Sequence, residues 1–147
     1  KLVWDALTAK ADLTLRKAQS SMDVAMARKK EAEIRLNKLD SLLAEYASKL
    51  NVILSRSHHS QEASNYRQFI IQLQALRQRA EQELQVFELD YGKNQRIVIA
   101  ADKEKLKFQG LADRAKIKLH HQGVKVEAKE AETQSMMQFN LNSRLNR

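Results

Sequence analysis

The side chains here whose types could support chemistry are few. Four histidines occur as two adjacent pairs, His58-His59 and His120-His121. Neighbouring residues on a helix point to different sides, so neither pair alone forms a facial metal site. Cysteine is absent, which excludes disulfides and thiolate zinc sites. The three glycines, Gly92, Gly110 and Gly123, do not approach the spacing of a phosphate-binding loop. Most carboxylates neighbour a base at helical spacing, as Glu31 does with Arg35, which is the patterning of a solvated helix face. No catalytic residue, cofactor or metal is therefore expected, and the chain reads as a non-enzyme.

The net charge is +8, which raises the question of a polyanionic partner. A basic DNA-reading helix carries a dense run nearly free of acids. Here Lys103, Lys105, Lys107, Arg114, Lys116 and Lys118 are mixed with Asp102, Glu104 and Asp113, so no nucleic-acid partner is expected. Nor does any apolar run approach the roughly 20 residues that span a bilayer, and no signal-peptide core is visible. Binding flat on a membrane is disfavoured too, because the apolar side chains are needed elsewhere. The expected compartment is the cytosol, with no insertion into the membrane.

They are needed in a helix seam. No proline occurs in 147 residues, and proline is the residue that a helix interior cannot accept. Aromatic residues make up only 5% and charged residues 30%, a composition that with helical periodicity marks a coiled coil. With Leu15 at position a, the a series is Leu15, Met22, Lys29, Leu36, Leu43 and Leu50. The d series is Ala18, Ala25, Ala32, Leu39, Tyr46 and Ile53, preceded by Ala11 and Trp4. A sustained 3.5-residue repeat keeps such a seam facing a partner helix. The polar stretch from Ser55 to Asn65 interrupts it. Either Ser60 or Asn65, the latter with Gln68 three residues on, suits a helix start. The second seam reads Tyr66, Phe69, Leu73, Leu76, Ala80, Leu84, Phe87, Tyr91, Asn94, Val98, Ala101, Lys105, Phe108, Ala112, Ala115 and Leu119. Its two successive steps of four near Ala80–Leu84 predict a stutter that locally unwinds the supercoil.

The predicted fold is all-α: one long antiparallel two-helix coiled-coil hairpin, with helix one at about 3–56, a turn at about 57–64 and helix two at about 65–144. Helix two overhangs helix one. Leucines fill the seam near the turn and alanines fill it near the termini, which predicts a firm tip and a softer base. Charge follows the same division. Residues 1–55 carry 10 basic and 7 acidic side chains, 56–95 carry 5 and 5, and 96–147 carry 11 and 6.

Two segments resemble a known family. Leu39-Asp-Ser-Leu-Leu-Ala-Glu-Tyr46-Ala-Ser-Lys-Leu50, a polar turn, and Asn65-Tyr66-Arg-Gln-Phe69-Ile-Ile-Gln-Leu73 are similar to the tip of FliJ, the stalk component of the flagellar type III export apparatus. Near the end, Gln134-Ser-Met-Met137 followed by Phe139 resembles a terminal pattern of that family, with Gln138 and Asn140 departing from its acidic character. The layout is shared along the whole chain, but only about 40 residues near the tip carry the specific likeness. The injectisome stalks of the YscO type are related and hard to separate by sequence.

The resemblance implies a mechanical role. FliJ is a two-helix coiled coil whose terminal ends enter a hexameric export ATPase (FliI-like), and whose tip reaches an export gate protein (FlhA-like). The family also escorts export chaperones. On that basis Leu39, Leu42, Tyr46, Phe69 and Leu73 are expected to contact the gate. Leu42, off the a/d seam, has the clearest reason to be exposed; the alternative for the other four is that they simply fill the seam. The expected ATPase contact is Arg16, Lys17, Lys116, Lys118, Lys125, Lys129, Met136, Met137 and Phe139. The implied location is cytoplasmic, peripheral to the membrane at the flagellar base. The other reading is a structural scaffold or tether that oligomerises through its C-terminal overhang.

Overall fold

Two helices account for almost everything in the computed structural model, which describes residues 2–56 and 60–146: α1 spans Leu2–Arg56 and α2 spans Gln61–Leu145. Among the described residues there is no strand, and only Ser60 and Asn146 are non-helical. The architecture is an all-α helical hairpin in which two long helices pack against each other. At 55 and 85 residues the helices are unequal, as an overhanging second helix requires.

The helix ends follow from local chemistry. Arg56 lies in the last turn of α1, where a cation complements the partial negative charge of the helix C-terminus. Ser60 starts α2: its Oγ accepts a hydrogen bond from the Ala63 amide at 3.0 Å, satisfying a donor that the first turn leaves unpaired. Glu62 adds an acid in that turn. Helix α2 thus begins four residues before the alternative start at Asn65, whose Oδ1 instead accepts from the Gln61 side chain at 3.1 Å. Of the polar turn expected over 57–64, residues 61–64 are helical, while His58 and His59 lie outside the described residues.

The α1 seam is as the heptads place it. All twelve positions from Leu15 to Ile53, and Ala11 and Trp4 before them, are buried or half-buried. The α2 seam differs from expectation at its start. The least exposed positions run Ala63, Tyr66, Ile70, Leu73, Arg77, Ala80, Leu84, Phe87 and Tyr91, a strict alternation of three and four. Phe69 is 39% exposed and Leu76 47%, so both flank the seam instead of filling it. There is no phase shift at Ala80–Leu84. The expected stutter came from preferring leucine over arginine at adjacent positions, and Arg77 is the seam residue.

The chain divides into two compact units, Lys1–Thr14 with Ala101–Arg147, and Leu15–Ala100. In the second, cross-helix pairs show antiparallel register: as the α1 partner advances, the α2 partner recedes. Lys29 Nζ lies 5.1 Å from the Tyr91 ring centroid, Arg35 pairs with Glu83 at 3.0 Å, Asp40 accepts from Arg77, and Tyr46 packs against Phe69. In the unit holding both ends of the described chain, Trp4 stacks on Phe108 with centroids 6.4 Å apart, and Lys105 reaches Asp12 at 2.9 Å.

Polar groups on the seam are each accommodated. Lys105 and Arg77 pair across the hairpin as above. Lys29 lies over Tyr91 and 3.9 Å from Glu33, and Asn94 donates to the Asp90 carbonyl at 2.8 Å. Long basic side chains can lay their stems on the apolar seam while keeping the charge at its edge. Among the described residues no buried side-chain nitrogen or oxygen lacks a hydrogen-bond partner.

Candidate interaction surfaces

Within the unit Leu15–Ala100, the seam explains which residues near the turn remain on view. A two-stranded seam needs only a and d positions; apolar residues at a flanking position widen the stripe beyond that need. In the register above, Leu42 of α1 and Phe69 and Leu76 of α2 all fall one residue before an a position. In an antiparallel pair these flanks lie on the same side of the seam, and the Arg35–Glu83 bridge joins two positions of this kind. Leu42 is 37% exposed, close to Phe69 in degree. The Phe69 ring meets Tyr46 edge-on at 4.6 Å, and Tyr46 also lies 5.6 Å from Tyr66. Tyr46, Asn65, Tyr66 and Phe69 line a shallow open groove. At its rim Lys49 sits over the Tyr46 ring and bonds Glu45 at 3.2 Å, and that carboxylate raises the lysine above its ordinary pKa.

The five residues assigned to a gate contact therefore separate. Leu42 and Phe69 are exposed, and Tyr46 and Leu39 are half-buried. Leu73 is only 4% exposed; it is a core residue of the seam, closed to a partner while the hairpin is intact. Leu76, which the stuttered reading committed to the seam, is instead exposed and joins the flank. The missed signal was the unbroken three-four spacing through Arg77.

The second surface lies on α2 beyond Ala115. Every described residue from Lys116 to Asn146 is exposed. Leu119, Val126, Met137 and Leu141 continue the face that carries Ala112 and Ala115, so the seam side of the helix is uncovered there. Met136 and Phe139 point elsewhere around the helix and are exposed as well. Lys116, Lys118, Lys125 and Lys129 take part in no ion pair among the described residues. Arg16 and Lys17, exposed on α1, belong to the other compact unit.

Among the described residues no group of three or more histidine or acidic side chains is placed to hold a metal ion, and no helix is long and apolar enough to cross a membrane. No protein-family model matches the chain, and neither a curated protein nor a solved structure matches it. The likeness to FliJ thus stands on the residues quoted for it.

Proposed function

We propose that this chain is a non-enzymatic stalk of the flagellar type III export ATPase complex. It binds a hexameric export ATPase and promotes its assembly through residues 101–147, and it meets the export gate through the flank around Phe69. In this reading it works in the cytoplasm, peripheral to the membrane at the flagellar base, and supports flagellar protein export; chaperone escort belongs to the same role. The observation that carries the proposal is the unequal hairpin. An 85-residue helix paired with a 55-residue one leaves a long, basic, apolar-studded stretch that its own chain does not cover. An exposed apolar patch on an otherwise polar surface marks a partner site.

Two measurements test the proposal. Mixed with the cognate export ATPase, the protein should co-migrate with the hexamer and raise its turnover; failure of both would sink the stalk reading. Leu42→Ala with Phe69→Ala should weaken gate binding while leaving helicity intact, because both side chains are exposed. Unchanged gate binding would remove the tip assignment.

The alternative is a scaffold that dimerises through the overhang. The continuation of the seam face through Leu119, Val126, Met137 and Leu141 favours it. Sedimentation equilibrium separates the two readings, since the scaffold requires a concentration-dependent dimer that Leu119→Glu with Val126→Glu would dissolve.

A further inference from the structure

On the exposed part of α2, basic side chains are not spread evenly around the helix. At 3.6 residues per turn, positions 114, 118, 121, 125 and 129 fall within roughly 80° of arc and extend about 22 Å along the axis. They are Arg114, Lys118, His121, Lys125 and Lys129, all exposed. Asp113, Glu127 and Glu130 lie on other faces, more than about 90° from the centre of the row. Glu132 returns to the row's face and ends it. Lys116 points to the opposite side of the helix, about 180° from the row.

None of the five is in an ion pair among the described residues. Arg114, Lys118, His121 and Lys125, with Ile117 and Gln122, line one shallow open depression. Ile117 and Val124 run along one edge of the row and are exposed. The only aromatic rings between residues 114 and 129 are the imidazoles of His120 and His121; no Phe, Tyr or Trp stands beside them as a larger stacking platform. A basic line with an aliphatic edge suits an acidic protein surface that has its own apolar margin.

We infer that α2 engages its ATPase partner by one face only, through carboxylates of the partner lying along Arg114, Lys118, Lys125 and Lys129, with Lys116 turned away. The inference rests on the stalk reading and deepens it. It adds Arg114 to the contact and removes Lys116. A one-sided contact also fixes the rotational setting of the helix within its partner, which an evenly charged helix would leave free.

The test compares two full-length double variants of equal charge change, Lys118→Glu/Lys125→Glu on the row and Lys116→Glu/Arg144→Glu off it. Binding to the cognate hexameric export ATPase is measured at low and high salt. The row variant should lose at least tenfold in affinity and most of its salt dependence, and the off-row variant should stay within twofold of wild type. Circular dichroism should match for all three, since every altered residue is exposed. Equal weakening of both variants would show that only net charge matters, overturning the one-sided contact and leaving the stalk reading in place. A row variant that binds like wild type would overturn it too. If wild type neither binds nor stimulates the ATPase, the stalk reading fails and this inference with it. Row-dependent retention by phosphatidylglycerol vesicles in its place would assign the row to a membrane surface.

Discussion

Arg77 occupies a position that an ideal heptad would give to leucine. Its guanidinium is held between Asp40, across the hairpin, and Glu81, one turn along α2, and Asp40 raises the arginine further above its already high pKa. Exposed ion pairs of this kind contribute little to stability, because solvent and salt screen them. Arg77→Leu should therefore raise the thermal midpoint, while Leu76→Glu next to it should leave the midpoint nearly unchanged. The opposite ranking in thermal melts would restore the stuttered register. Gly110 makes a simpler case. A Cβ built there meets nothing within 4 Å, so Gly110→Ala should stabilise the helix by about 1 kcal/mol through backbone entropy alone. A denaturant midpoint that falls instead would reveal a close packing partner.

At the scale of the elements, much of α1 was legible because its seam residues are apolar but for Lys29 and separated by three or four positions from Ala11 to Ile53. Lys29, the one charged member, did not disturb the pattern, since its neighbours on either side fix the phase. Helix α2 was less legible for a physical reason. Leucine and phenylalanine at flanking positions compete with isoleucine and arginine for the seam, and hydrophobicity alone ranks Leu76 above Arg77. Only the cross-helix partners decide between them. The helix start was ambiguous in the same way, because Ser60 and Asn65 are both good caps and the choice depends on which amide the side chain actually meets.

The alanine run of α1 carries its own prediction. Ala25 and Ala32 are almost fully enclosed, so the seam there is tight and short side chains set its spacing. Ala32→Leu should cost about 1–3 kcal/mol by overpacking, although leucine is the usual seam residue. Leu73→Ala should cost about 2–5 kcal/mol by leaving a void, whereas Phe69→Ala should cost less because that ring is partly in solvent. Chemical denaturation of the three variants checks the order. If Phe69→Ala were the most destabilising, Phe69 would be the seam residue and the flank would lose its apolar centre.

For the molecule as a whole, packing and full exposure fall on different stretches of one chain. The buried and half-buried residues end at Ala115 on α2, and everything described beyond it is in solvent. Apolar burial is the main source of stability, so the exposed stretch contributes little to the folding of the hairpin. It is nonetheless helical, without the tertiary packing from which most helical stability in proteins comes. Removing residues 116–147 should therefore leave the thermal midpoint of the hairpin within a few degrees of the full chain. The far-UV helical signal should fall about in proportion to the residues removed. ATPase binding and stimulation should disappear in the same variant, because all of the basic row but Arg114, and Met136, Met137 and Phe139, go with it. Hydrogen exchange on the full-length protein supplies the complement: amides beyond Ala115 should exchange fast in the free protein and slow markedly when the ATPase is added. If the truncated chain instead melts far below the full one, the exposed stretch supports the fold through contacts with another copy. The scaffold reading would then displace the stalk.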